Sequence, residues 1–299
     1  MNQKSKGILL VLSTALISGV AIFINQFGVK VISPDIYTFL KNLIAGLFVL
    51  AIIIAFKEWH KVKLLKKKDW LTLAIIGLVG GSIPFLLFFK GLSLSTSGNA
   101  SMIHKSMFLF VAIMAVIFLK EKLNKLLIAG ILVILIGNVL LLKLDPGNLL
   151  SLGDSLILIA TLFWAGENII SKKAVSTISP RIVAASRMFF GSFFIFIYLL
   201  FTKQVSLLSS LSFEQFTWTL LTGFILTLFL ITWYSGIKYI KISTATCILA
   251  LGAPITNILS LIQGKTLVFN QYIGLFIIIF GIALVIVSSK KKQLDYEGL

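Results

Sequence analysis

Five ionisable residues stand inside long apolar runs of this chain: Lys41, His104, Lys105, Glu167 and Arg187. A charge at the centre of a bilayer costs roughly 2.5–3.5 kcal/mol on insertion scales, so such residues mark binding sites, ion paths or paired contacts. Three cations (Lys41, Lys105, Arg187) against one carboxylate (Glu167) leave that interior two charges positive, 3 − 1 = 2. Such an interior favours a substrate bearing carboxylate, phosphate or sulfate. The chemistry is recognition rather than bond-making. Of ten acidic residues only Glu167 lies deep in a run, Asp35 and Asp154 sit at run ends, and His60 and His104 are far apart. No Cys/His cluster has metal-ligand spacing, no glycine-rich phosphate loop follows a strand, and Lys120-Glu121-Lys122 is a charged turn. No catalytic residue, metal or cofactor is therefore expected, and an enzyme is poorly supported.

Helical spacing groups further polar residues with these charges. Ser97, Ser101 and His104 share one face, as do Trp164, Glu167, Asn168 and Ser171, with Lys105 about 100° around from His104. Lys41 and Arg187 each stand seven residues past a proline, Pro34 and Pro180. Glu167 and Arg187 fall at one depth on consecutive runs, given about 1.5 Å of rise per residue, and opposite charges so placed are expected to pair. Lys41 reads equally as snorkelling to the surface or facing the interior. Lys105, nine residues into its run, is expected to face a cavity, and His104 to be a packing residue. Gly80-Gly81-Ser82 with Pro84, and Pro254 followed by Asn257, break their runs, which lipid tolerates only against protein or a water-filled space. Trp233-Tyr234 is read as part of an interfacial aromatic belt. The candidate pathway is thus Lys41, Ser101, His104, Lys105, Trp164, Glu167, Asn168, Arg187 and Asn257, with helix breaks at Gly80, Gly81, Pro84 and Pro254.

The elements that carry these residues are membrane-spanning helices. Apolar residues make up 58% and charged residues 12% of the chain, with a mean hydropathy of +1.05, far from the roughly 25% charged of soluble domains. Runs of spanning length fall at roughly 7–26, 35–56, 70–89, 96–118, 126–144, 153–171, 181–201, 216–237, 244–263 and 271–289. Unbroken runs exclude a β-barrel, whose strands alternate. The glycine pairs Gly130/Gly137 and Gly274/Gly281 mark spans five and ten as close-packed peripheral struts.

The ten runs are one unit written twice. Gly7–Lys41 reads onto Gly153–Arg187 at an offset of 146, with Ile32-Ser33-Pro34 on Ile178-Ser179-Pro180. Gly91 meets Gly236 and Ala100 meets Ala245 at 145, and Gly130 and Gly137 meet Gly274 and Gly281 at 144. Five spans per copy turn the second copy upside down, the inverted repeat of many secondary transporters. Copies of 1–145 and 146–299 follow, joined at the turn Asp145-Pro146-Gly147. Ala21 and Lys41 occupy in the first copy the places of Glu167 and Arg187 in the second.

The net charge of +17 is a topology label, with no call for nucleic acid. With the N-terminus inside, 19 of the Lys and Arg residues fall in cytoplasmic segments and five in outer ones, which places both termini in the cytoplasm. Lys4 and Lys6 precede an apolar run without a small-residue cleavage site, so this run is expected to stay as the first span. Cys247 is the lone cysteine.

The run from Ser95-Thr96-Ser97 through Phe118-Leu119-Lys120-Glu121-Lys122-Leu123 resembles the EamA family of the drug/metabolite transporter superfamily. Thr244-Ala245 through Gly264-Lys265-Thr266-Leu267, Gly153-Asp154, and Ser179-Pro180 with Arg187 are similar to that family's second half. The resemblance implies an all-α polytopic protein of two inverted five-helix repeats, with a cavity lined by spans one, three, four, six, eight and nine. It also implies an exporter or facilitator of amino acids and related small metabolites. The chain departs from the family pattern at Lys120, where a glycine is usual, at Lys265, where glutamate is usual, and in span four, which lacks the usual proline. The expected function is alternating-access transport of a small polar or anionic metabolite across the plasma membrane. Export of drugs or organic cations, a lipid scramblase and a membrane-embedded enzyme stand as alternatives. The expected partners are a small-molecule substrate and the lipid bilayer, and a homodimer is compatible with the sequence.

Overall fold

The structure, a computed structural model, describes residues 2–141 and 151–297, with side chains as far as residue 289. The predicted turn Asp145-Pro146-Gly147 and the boundary at 145/146 lie outside the described residues. Among the described residues ten apolar helices carry the fold: α1 Gln3–Val31, α2 Pro34–Ala55, α3 Lys67–Leu94, α4 Ser97–Leu119, α5 Lys125–Leu141, α6 Leu152–Thr177, α7 Pro180–Phe201, α8 Phe213–Tyr239, α9 Ile242–Ile262 and α10 Phe269–Glu297. Nine are long enough to span a bilayer, and the described part of α5 is shorter. Proline opens α2 and α7, where its missing donor costs nothing. Reciprocal caps start α6 (Ser151 with Asp154) and α8 (Ser212 with Gln215).

The two copies are related by inversion, and the contacts repeat with the copies exchanged. Gly7 on α1 packs on Gly236 of α8, a Cβ there falling 3.2 Å from the Gly236 carbonyl oxygen. Gly153 on α6 packs on Gly91 of α3, where the same distance would be 2.8 Å. Gly77 on α3 lies against Phe190 of α7, and Gly223 on α8 lies against Ile44 of α2. Backbone strain repeats too. Lys57 (φ 54°) and Lys203 (φ 55°) close α2 and α7 in the left-handed region, and Lys120 (φ 53°) and Gly264 (φ 84°) do so after α4 and α9. α5 and α10 pack on each other through Gly130, Gly137, Gly274 and Gly281, at the edge of the bundle.

Three spanning helices are broken. α3 widens into a π turn over Gly77–Ser82 ahead of Pro84, α9 is interrupted at Ala250 and Leu251 ahead of Pro254, and α4 is interrupted at Ser106. This last break carries no proline. Ser106 Oγ instead donates to the Ile103 carbonyl at 2.7 Å, a side chain competing for the backbone ladder.

Polar clasps join the helix ends. At the face where α1 begins, Glu58 accepts from Ser179 (2.9 Å), Arg181 (3.0 Å) and Lys61 (2.9 Å). Partial burial pushes the Glu58 carboxyl up, but the Lys61 and Ser179 hydrogen bonds and the Arg181 and Lys61 charges outweigh it and hold its pKa below the ordinary 4.5. At the same face Glu121, in the α4–α5 connection, accepts from the Ile242 and Ser243 amides (2.9 and 3.3 Å) and the Ser243 hydroxyl (2.5 Å). It caps α9, which has no side-chain cap of its own. At the opposite face Asp154 accepts from Ser95 (2.6 Å) and Gln271 donates to the Leu141 carbonyl (2.8 Å).

Candidate functional site: a charged, aromatic cavity between the repeats

A cavity of about 80 Å³ lies between the repeats, room for a small ligand or several waters. Its wall is drawn from α1, α2, α3, α4, α6, α7, α8 and α9, and from neither α5 nor α10. Six pairs of repeat-related positions line it: Ser18/Trp164, Ala21/Glu167, Ile22/Asn168, Lys41/Arg187, Phe88/Trp233 and His104/Leu249. The cavity therefore sits where the inversion relates the copies to each other. Ala21/Glu167, Ile22/Asn168 and His104/Leu249 differ in polarity, so its two ends are chemically unlike.

One end is a compensated ion pair. Arg187 Nη1 lies 3.6 Å from Glu167 Oε2 and donates to Tyr234 Oη at 3.0 Å. Nη2 donates to the Gly80 carbonyl at 2.9 Å. Tyr234 in turn donates to Glu167 Oε1 at 2.7 Å, and Ser171 donates to the same oxygen. The helix break makes this arrangement. Pro84 has no N–H for the carbonyl four residues back, so Gly80 offers its oxygen to Arg187 and also to Trp164 Nε1 (2.9 Å), while the Gly81 carbonyl takes Asn42 (2.8 Å). Only glycine fits here. A Cβ on Gly80 would stand 2.3 Å from Glu167 Cγ, and one on Gly81 2.2 Å from the Arg187 carbonyl oxygen.

The other end is a cation without a carboxylate. Lys41 is buried and donates to Asn25 Oδ1 at 2.8 Å, which also accepts from Tyr37 (2.5 Å). Its ammonium faces Phe89 at 4.2 Å, Tyr37 at 5.7 Å and Phe85 at 6.0 Å from the ring centroids. Among the described residues no acidic group stands within ion-pair distance of it. Aromatic faces attract a cation through the ring quadrupole. Between the ends, His104 packs edge-on against Trp164 (4.7 Å) and Phe88 (5.4 Å). Among the described residues no three His, Cys, Asp or Glu side chains converge as metal ligands would.

The structure thus brings Lys41, His104, Trp164, Glu167, Asn168 and Arg187 to one cavity. Lys41 turns inward to Asn25 and does not snorkel. Three candidates fall elsewhere. Lys105 does not line the cavity; its side chain occupies the room left by Gly252 on α9, and Nζ donates to Ser18 at 2.6 Å. Ser101 donates to Thr256 across the α4–α9 contact (3.1 Å), and Asn257 donates to the Ala253 carbonyl within α9 (3.0 Å). Trp233 and Tyr234 are not interfacial. Both are buried, with Trp233 Nε1 donating to Asn168 Oδ1 at 3.2 Å. The sequence reading missed Asn25, Tyr37 and the stripe Phe85, Phe88, Phe89. Their signal was present: the three phenylalanines follow the α3 break at helical spacing, and Asn25 matches Ser171 at the 146 offset.

Comparison with known proteins agrees with this architecture. A crystal structure superposes with a TM-score of 0.77 over 97% of this chain and 98% of that one, at 16% identity, which shows the fold. The protein of Bacillus subtilis (strain 168) described as uncharacterized transporter YyaM is 28% identical over 246 residues, 78% of either chain. An uncharacterized transporter of Synechocystis is 26% identical over 83% of this chain and 75% of its own. The EamA-like transporter family matches twice, over residues 5–143 and 151–287. The chain is a multi-pass membrane protein, and it belongs to the EamA-like transporter family.

Proposed function

We propose that the chain moves a small anionic metabolite, such as an amino acid or its derivative, outward across the plasma membrane by alternating access. The observation that carries this reading is Lys41: a buried lysine at the cavity wall, held by one amide oxygen and three aromatic rings, with no carboxylate among the described residues to neutralise it. Arg187 is already matched by Glu167, so the cavity lining keeps one positive charge, Lys41 and Arg187 against Glu167. A carboxylate or phosphate entering there gains a charge-assisted hydrogen bond. The aromatic wall, which an organic-cation exporter would use, is occupied by Lys41 itself. The breaks in α4 and α9 stand at repeat-related depths, so each helix can bend against the other to open one face at a time. The basic face, by the positive-inside rule, is the cytoplasmic one.

Proteoliposomes loaded with a panel of radiolabelled small carboxylates, phosphates and amines test this. Anions exchange across the membrane, and Lys41→Gln weakens their half-saturation about tenfold or more, as loss of a charge-assisted bond of about 1.5–3 kcal/mol requires. Exchange confined to amines, or anion exchange unaltered in Lys41→Gln, overturns the proposal.

A further inference from the structure

A second opening lies outside the cavity, at the face where α1 begins, between the start of α3, the end of α4 and the last turns of α6. It encloses about 810 Å³. Its mouth holds three lysines, Lys66, Lys68 and Lys173, and its wall is apolar, with Met114, Phe118 and Ile169. The one carboxylate at the mouth, Asp69, accepts from the Lys66 amide at 2.9 Å as a helix cap. Gly166 forms the floor, and a Cβ on it would meet nothing within 4 Å. The α6 surface there is open.

The repeat-related place on the opposite face is built otherwise. There Lys66, Lys68 and Lys173 become Ser212, Glu214 and Phe27, and Gly166 becomes Val20. Phe27 stacks on Trp218 with centroids 6.1 Å apart, and Phe23 packs edge-on against Phe27 at 5.5 Å. Two related places thus differ in a consistent way: one is filled by the protein's own rings, the other is open, apolar inside and cationic at its rim.

We propose that the open groove binds one anionic phospholipid of the adjoining leaflet. The headgroup phosphate sits among Lys66, Lys68 and Lys173, and an acyl chain lies along Met114, Phe118 and Ile169 over Gly166. The charge complementarity is that of basic segments at anionic leaflets, and the apolar wall gives the site to a lipid rather than to a soluble anion. The site stands whatever the cavity transports.

Native mass spectrometry of the purified full chain titrated with palmitoyl-oleoyl phosphatidylglycerol, palmitoyl-oleoyl phosphatidylcholine and glycerol 3-phosphate tests it. The expected result is one phosphatidylglycerol bound at least tenfold more tightly than phosphatidylcholine, with no binding of glycerol 3-phosphate. Lys66→Gln, Lys68→Gln and Lys173→Gln together erase the preference, Gly166→Leu weakens binding of the lipid, and Lys30→Gln on the opposite face changes neither. Equal retention of both lipids by the parent, phosphatidylglycerol preference surviving the triple variant, or binding of glycerol 3-phosphate as tight as the lipid overturns the proposal.

Discussion

The Glu167–Arg187 pair lends itself to a double-mutant cycle. In Glu167→Gln the amide oxygen still accepts from Tyr234 and Ser171, but the position facing Arg187 Nη1 loses its charge. Removing one partner of a buried pair costs about 3–5 kcal/mol, because the other charge is left uncompensated. Here the lower figure applies, since the pair is 3.6 Å apart and Arg187 keeps Tyr234 and the Gly80 carbonyl. At an unfolding entropy of about 2.1 cal/mol/K per residue, the 299-residue chain loses about 5 °C in Tm for about 3 kcal/mol. Arg187→Gln should lose a similar amount, since it strands Glu167. The double variant Glu167→Gln/Arg187→Gln carries no stranded charge and should return to within about 2 °C of the parent, a coupling well above the roughly 0.5 kcal/mol of independent sites. Thermal unfolding followed by tryptophan fluorescence in detergent reads all four corners. A double variant that loses the sum of the two singles would show that the charges do not sense each other.

Three further outcomes are expected. Lys120 sits at φ 53° where its repeat-related counterpart is Gly264, so Lys120→Gly should gain about 1 kcal/mol by relieving left-handed strain and raise the melting temperature; no gain would mean the turn is not strained. The Glu58 carboxyl is held below its ordinary pKa, so its contribution is present above the unfolded value of 4.5 and is lost as pH falls through the lower folded one. Parent and Glu58→Gln melts should therefore differ at pH 7 and converge in strong acid, and a gap that persists there would contradict the linkage. In a Cys247→Ala background, cysteines at positions 66 and 122 should react only with membrane-crossing reagents and one at 203 from outside; labelling of position 66 from outside would reverse the proposed orientation.

The fold was legible because lipid enforces simple rules: long apolar runs must be helices, and a five-span duplication must invert. The pairing of Glu167 with Arg187 followed from depth alone. Lys105 was misplaced because a helical wheel cannot say which neighbour leaves room, and here Gly252, in another repeat, does so. Trp233 and Tyr234 were misread because aromatic residues serve both interfaces and interiors, and only their partners Asn168 and Glu167 separate the two uses. The α4 break escaped notice because Ser106 does there by hydrogen bonding what Pro254 does in α9 by lacking a donor. The family's usual glycine before the Glu-x-Leu turn proves to answer a positive φ, kept by Gly264 and endured by Lys120.

The Glu121 cap has a consequence for the resting balance of the molecule. At the matching place of the second repeat stands Lys265, which donates to Gln26 on α1 (3.3 Å), and α4 begins instead on its own Thr96 (3.1 Å to the Asn99 amide). Swinging α9 away from the α4–α5 connection breaks three bonds to a carboxylate, whereas the start of α4 is capped by its own Thr96 and not by a carboxylate of the α9–α10 connection. In the proposed alternating-access cycle the two half-cycles would then start from unequal free energies, and the empty carrier would rest mostly shut at the face where α1 begins. Only a cargo that binds the other form more tightly can tip it over, so this hypothesis makes Glu121→Gln a variant whose net flux, which needs the empty carrier to turn, rises toward its exchange rate. A ratio of net flux to exchange unchanged from the parent would show that the cap does not set this balance.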